Sequence, residues 1–266
     1  MALFRTYSAR IRALLSSILC PSRVLTNQNT GLIRLIACVS MATDHFGKML
    51  FPGIPEMRMI GRLAFPLFAY GIAAGAVYTR NPLKYLSRIV LLMLVSQPLY
   101  AVSLAHENAG MYAIPFFENP IASFWQFYTG SWQKPSILLS LALGLCIMLC
   151  LKRRQWILAA GLYIFCVRFS SSLDYGINGI HLMLLFYLLI EHPFFALPVI
   201  SLYMLHWGTA GFLHIGLQTY AVPAVVFACL PLRGNLRLPR WFIYGFYPAH
   251  LLVLALFVKL PLFFPA

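Results

Sequence analysis

The sequence predicts an all-α protein, a polytopic transmembrane helix bundle of about nine spans. Three observations carry that reading. Of 266 residues, 61% are hydrophobic and 10% are charged. A soluble domain carries about 25% charged residues, so there is too little polar side chain here to coat a water-facing globule. The apolar residues fall in runs close to the roughly 17–25 residues that a spanning helix needs. The cations sit in short clusters between those runs, the pattern of loops that obey the positive-inside rule. The net charge of +14 therefore points to a lipid bilayer. No nucleic-acid motif is present, and nucleic acid is excluded as a partner.

Residues 1–25 hold Arg5, Arg10, Arg12 and Arg23 and no acid. Their apolar residues, Leu3 to Ile18, recur near helical spacing. This reads as a basic amphipathic segment on the inner membrane surface. Residues 26–266 form the membrane domain, with candidate spans at 31–51, 59–79, 84–105, 136–151, 155–171, 175–191, 193–208, 213–232 and 240–261. With the N-terminus cytoplasmic, Arg80, Lys84 and Arg88 fall inside. So do Lys152, Arg153 and Arg154, and Arg233, Arg237 and Arg240. The loop 106–135 falls outside with Glu107, Glu118 and Lys134. Its aromatic residues, from Tyr112 to Trp132, read either as a headgroup belt or as a lid or docking surface.

Asp44 and His45 stand in the middle of the apolar stretch Leu32 to Phe51, where ionisable groups are costly and mark functional sites. Asp44 is 13 residues beyond Gly31, about 20 Å along a helix, which is the outer half of the membrane. Adjacent residues on a helix do not face each other, so each needs a partner from another helix. Lys48 offers Asp44 a partner one turn on, and Arg34 projects near the His45 face three turns below. Arg62 re-enters at the depth of Asp44, either as a structural ion pair or as an anion clamp. Asp174, Asn178 and His181 share one helical face, with Gly176 and Gly179 allowing close packing. Tyr247 and His250 share a face of the last span, where Pro248 frees a carbonyl. The six cysteines, Cys20, Cys38, Cys146, Cys150, Cys166 and Cys229, lack ligand spacing and read as small buried hydrophobes. No two histidines sit at metal-binding helical spacing, and no soluble-enzyme motif appears.

The run Met41-Ala42-Thr43-Asp44-His45, followed by Gly61-Arg62-Leu63-Ala64-Phe65-Pro66-Leu67-Phe68-Ala69-Tyr70, resembles the TraX family of conjugative pilin acetylation proteins. Tyr175-Gly176-Ile177-Asn178-Gly179 and Phe246-Tyr247-Pro248-Ala249-His250 are similar to that family's later motifs. The likeness runs from about 31 to 258. It implies an integral membrane acyltransferase of the bacterial inner membrane that takes acetyl from acetyl-CoA. Its acceptor would be a pilin-like peptide terminus or a glycan. Acetyl transfer needs a base, most often His, and donors for the developing oxyanion. On this reading His45, Asp44 and His250 are catalytic, with the base open between the two histidines. Arg62, Asp174, Asn178 and Tyr247 bind acetyl-CoA. A transporter or proton relay, and a non-catalytic pilus-assembly membrane protein, are the alternatives. A transporter often shows paired repeats with broken helices, and none is found.

Overall fold

Proline and asparagine set where the helices of this apolar chain begin and bend. The computed structural model describes residues 30–209, 216–229, 232 and 236–263. The expected basic segment 1–25, Cys20, His214 and Arg233 lie outside the described residues.

Helix α1 spans Thr30–Met49. After a short reversal, α2, Pro55–Gly61, and α3, Ala64–Tyr78, run almost as one helix. Arg62 and Leu63 keep right-handed helical dihedrals between them. Pro66 sits in the first turn of α3, where its missing N–H removes no helical hydrogen bond. Helix α4, Pro82–Ser103, starts on Asn81, whose side chain accepts from the Lys84 N–H at 3.0 Å. Pro98 inside α4 leaves the Leu94 carbonyl without its helical donor. The Tyr128 hydroxyl donates to that carbonyl at 3.2 Å.

Tyr128 belongs to α5, Pro120–Gly130, within the segment expected to be a loop. Its start signal is an Asn119 cap, accepting from Ala122 N–H at 3.1 Å, with proline at the first helical position. A 66° bend separates the α5 segment from α6, Ile137–Lys152. Gln97 of α4 is fully buried at that break. It donates to the carbonyls of Ser131 and Lys134 at 2.7 and 3.0 Å and accepts from the Ser136 N–H at 2.9 Å. One side chain thus satisfies three backbone groups that the bend takes out of helical pairing. Then come α7, Trp156–Arg168, α8, Gly176–Leu188, and α9, Pro193–Gly208. A 3₁₀ turn, Leu217–Ala221, leads into α10, Val222–Cys229, and α11 is Arg240–Phe263.

Every one of the nine candidate spans contains a helix, and the helical membrane bundle stands. Nine full crossings are not what helix length gives. Pro55–Tyr78, Pro82–Ser103 and Trp241–Lys259 are long and apolar enough to span, with a fourth span if the bent pair counts as one. Trp156–Arg168 and Gly176–Leu188 have 13 residues each, about 20 Å against a hydrocarbon core near 30 Å.

Three contacts gather the cation clusters at one end of the bundle. Lys152 donates to the carbonyls of Ala76 and Val77 at 2.8 and 2.7 Å, closing the C-terminus of α3. The Arg88 guanidinium lies 6.0 Å from the Tyr244 ring centre. A Cβ on Gly31 would fall 1.8 Å from the Leu236 carbonyl oxygen. At the opposite end Glu107 pairs with Lys259 at 2.5 Å and accepts from the Tyr112 hydroxyl. Helices α4 and α11 therefore run parallel.

Candidate functional site

Asp44 and His45 are neighbours in sequence that face different helices. The Asp44 carboxylate lies 2.5 Å from Arg62 Nη2 and 3.4 Å from Arg58 Nε. This is the Asp–Arg pair that the depth argument predicts. Lys48, the alternative partner one turn along α1, makes no ion pair with Asp44, which is turned toward α2. Gly61 makes the approach possible: a Cβ there would sit 2.3 Å from the Asp44 Cβ. Arg62 Nη1 reaches the Tyr175 hydroxyl at 3.5 Å. Phe65 stacks on the Tyr175 ring at 4.2 Å between centres, with planes 10° apart. The motifs around 61–65 and 175 thus close on one another.

His45 Nδ1 is 3.0 Å from His250 Nε2, and His250 Nδ1 is 2.9 Å from the Phe246 carbonyl. The carbonyl can only accept, so His250 carries its proton on Nδ1. A neutral His250 then offers the Nε2 lone pair to His45 Nδ1–H. His45 is left with a free lone pair on Nε2, the requirement for a base.

A cavity of about 420 Å³ runs beside this layer. Arg34, Thr79, Tyr85 and Arg88 line it at the cationic end, and Asp44, His45, Gly61, Asp174, Tyr175 and Tyr247 at the other. Arg34 and His45 are eleven residues apart on α1, about 16 Å at 1.5 Å per residue. The walls between are apolar, with Met41, Leu67 and Leu138 among them.

Asp44, His45, Asp174 and Tyr247 are on the cavity wall. Arg62 and His250 stand behind it, each bonded to a wall residue. Asn178 is elsewhere. Its side-chain oxygen accepts from the Tyr203 hydroxyl at 3.0 Å. Tyr203 and Tyr163 also bracket His181, at 3.3 and 2.8 Å. Asn178 and His181 share the expected face and meet at Tyr203, but Asp174 is off it, because α8 begins at Gly176, whose φ of +55° turns the chain. Asp174 lies in that turn, ahead of the helix. Arg58 is the residue that sequence reasoning missed. It sits four residues before Arg62 on the same face, a spacing that was readable. Outside the spans, burial and then the Lys48 and Lys134 charges push His106 down to about 4. It adds no positive charge near neutral pH.

The family described as TraX protein matches residues 29–258. The chain belongs to the TraX family. The match contains every candidate site residue named above. This TraX-family protein is also similar to the probable fimbrial assembly protein FimC, serogroup H1, of Dichelobacter nodosus. They are 29% identical over 90 residues, 32% of this chain and 36% of that protein. It is 31% identical over 104 residues to the uncharacterized protein RP591 of Rickettsia prowazekii (strain Madrid E), covering 37% of this chain and 41% of that one. The matches thus span about two fifths of each relative's length. No solved structure matches. Its apolar helices and its family make it a membrane protein.

Proposed function

We propose that this TraX-family protein is an inner-membrane acetyltransferase that moves acetyl from acetyl-CoA to an amine or hydroxyl of a pilin-like peptide or a glycan. The cation-rich end faces the cytoplasm, as the positive-inside rule requires. The supporting observation is the ordered imidazole pair, with His45 on the cavity wall and His250 behind it. The similarity to a protein named for fimbrial assembly favours a pilin-like acceptor over a glycan.

His45 Nε2 takes the proton of the acceptor as its nitrogen or oxygen attacks the thioester carbonyl. The resulting imidazolium is stabilised through Nδ1–H by His250, which the Phe246 carbonyl holds in one tautomer. The acetyl–sulfur bond breaks as the acetyl–acceptor bond forms, and the proton returns from His45 to the departing thiolate. Asp44, held by Arg62 and Arg58, sets a fixed charge beside the base without touching its ring. The 16 Å passage, estimated from helix rise, suits a slender arm reaching up from the cytoplasmic end.

The test is transfer of labelled acetyl from acetyl-CoA to a pilin-like N-terminal peptide by purified protein in lipid nanodiscs. Label on the peptide supports the reading. Equal labelling by the His45→Ala variant overturns the assignment of base and leaves a scaffold for pilus assembly, without chemistry, as the better account.

A further inference from the structure

The cationic end of the cavity carries two arginines that form no ion pair among the described residues. Arg34 on α1 and Arg88 on α4 are half-buried and line the cavity wall. The chain has six acids. Among the described residues their ion pairs join Asp44 to Arg58 and Arg62, and Glu107 to Lys259. All of these lie toward the other end. A guanidinium on a partly dry wall with no counter-charge is costly, and the cost falls when an anion binds it. The planar fork of arginine matches phosphate through two parallel hydrogen bonds. Beside the two arginines the mouth presents hydroxyl groups, from Thr79, Tyr85 and Tyr244. Beyond it the passage turns apolar. A ligand that fits has a phosphorylated head and a thin, mostly uncharged arm.

We propose that Arg34 and Arg88 form a phosphate clasp at the mouth of the cavity, holding the phosphoryl groups of CoA while its thiol arm reaches the His45 layer. The identity of the ligand as CoA rests on the acetyl-transfer reading. The phosphate chemistry does not, since an anionic lipid headgroup would present the same groups.

The experiment uses full-length protein in detergent, comparing wild type with Arg34→Gln, Arg88→Gln, the double Gln variant and the double Lys variant. Calorimetry measures binding of CoA and of pantetheine, which has the same arm and no phosphates. Native mass spectrometry counts retained phosphatidylglycerol. Each Gln substitution is expected to weaken CoA binding by about tenfold or more, the loss of a charged hydrogen bond, with pantetheine binding unchanged. Equal CoA affinity in wild type and the double Gln variant overturns the clasp and leaves the acetyl-transfer reading standing. If wild type ignores CoA but retains phosphatidylglycerol that the double Gln variant loses, the clasp holds a lipid headgroup and the acetyl-CoA reading falls. If wild type binds neither CoA nor phosphatidylglycerol, both fall. Should the Gln variants misfold, the double Lys variant keeps the charge without the fork, and unchanged CoA affinity in it overturns the clasp.

Discussion

Neutralising Asp44 should destabilise the fold more than neutralising Arg62. Asp44 serves two guanidiniums, at 2.5 Å from Arg62 and 3.4 Å from Arg58. The side chains of Asp44 and Arg62 are 13% and 12% exposed, and that of Arg58 is 27% exposed. When Arg62 is lost, Arg58 still holds the acid. When Asp44 is lost, two cations face each other and the less exposed one has no acid. Breaking a buried pair from one side costs about 3–5 kcal/mol. Asp44→Asn should show that cost in full. Arg62→Gln should show about 1–3 kcal/mol, the loss of one charged hydrogen bond with a second donor in reserve. The double variant removes both buried charges and should cost no more than Asp44→Asn alone. That implies a coupling of about 1–3 kcal/mol, within the range for residues in contact. Equilibrium unfolding in mixed micelles, followed by tryptophan fluorescence, measures all three. A double variant equal to the sum of the singles within about 0.5 kcal/mol refutes the coupling. So does an Arg62→Gln variant less stable than Asp44→Asn.

The other predictions concern the base, the fork, the bend and acid. His45→Ala and His250→Ala should each slow acetyl transfer by about 10²–10⁴-fold, and the double variant no more than the worse single, because the two act as one unit. Additive losses in turnover assays would separate them. Arg62→Lys should fold and transfer acetyl poorly, since the ammonium cannot serve Asp44 and Tyr175 with one fork; wild-type turnover would make Arg62 a counter-charge only. Gln97→Ala should cost about 1–3 kcal/mol for the backbone groups it strands, and Tyr128→Phe about 1 kcal/mol; unfolding curves overlaying wild type would show the bend is held by packing alone. His106, held near 4 in the fold against about 6.5 unfolded, contributes stability that is full above pH 6.5 and lost as pH falls from 6.5 to 4. His106→Gln should flatten that part of the stability profile, and an unchanged profile would remove His106 as its source.

The fold was readable because apolar runs leave little choice: a membrane forces backbone groups to pair within a segment, so each run becomes a helix. The site was readable where residue type alone is costly. Asp44, His45 and Arg62 declare themselves by standing in hydrocarbon, and helix depth brought the acid and the guanidinium together. The partnership of His45 with His250 could not be read, because it depends on how α11 leans on α1, which no local pattern encodes. The α8 stripe lost Asp174 for a local reason. One glycine at φ +55° ends the register on which a helical face depends. The aromatic content of 106–135 hid α5, although its Asn-Pro start was in plain sight.

The two imidazoles stand 205 positions apart, one on α1 and the other on α11. Chains are made and inserted from the N-terminus onward. Until α11 is in place, His45 Nδ1 has no His250 Nε2 to face. The pair closes only when Phe246 to His250 seats against α1. On the acetyl-transfer proposal, a protease cut ahead of α11 would remove one ring of the pair. The geometry therefore ties the imidazole pair to a helix made after α1 to α10.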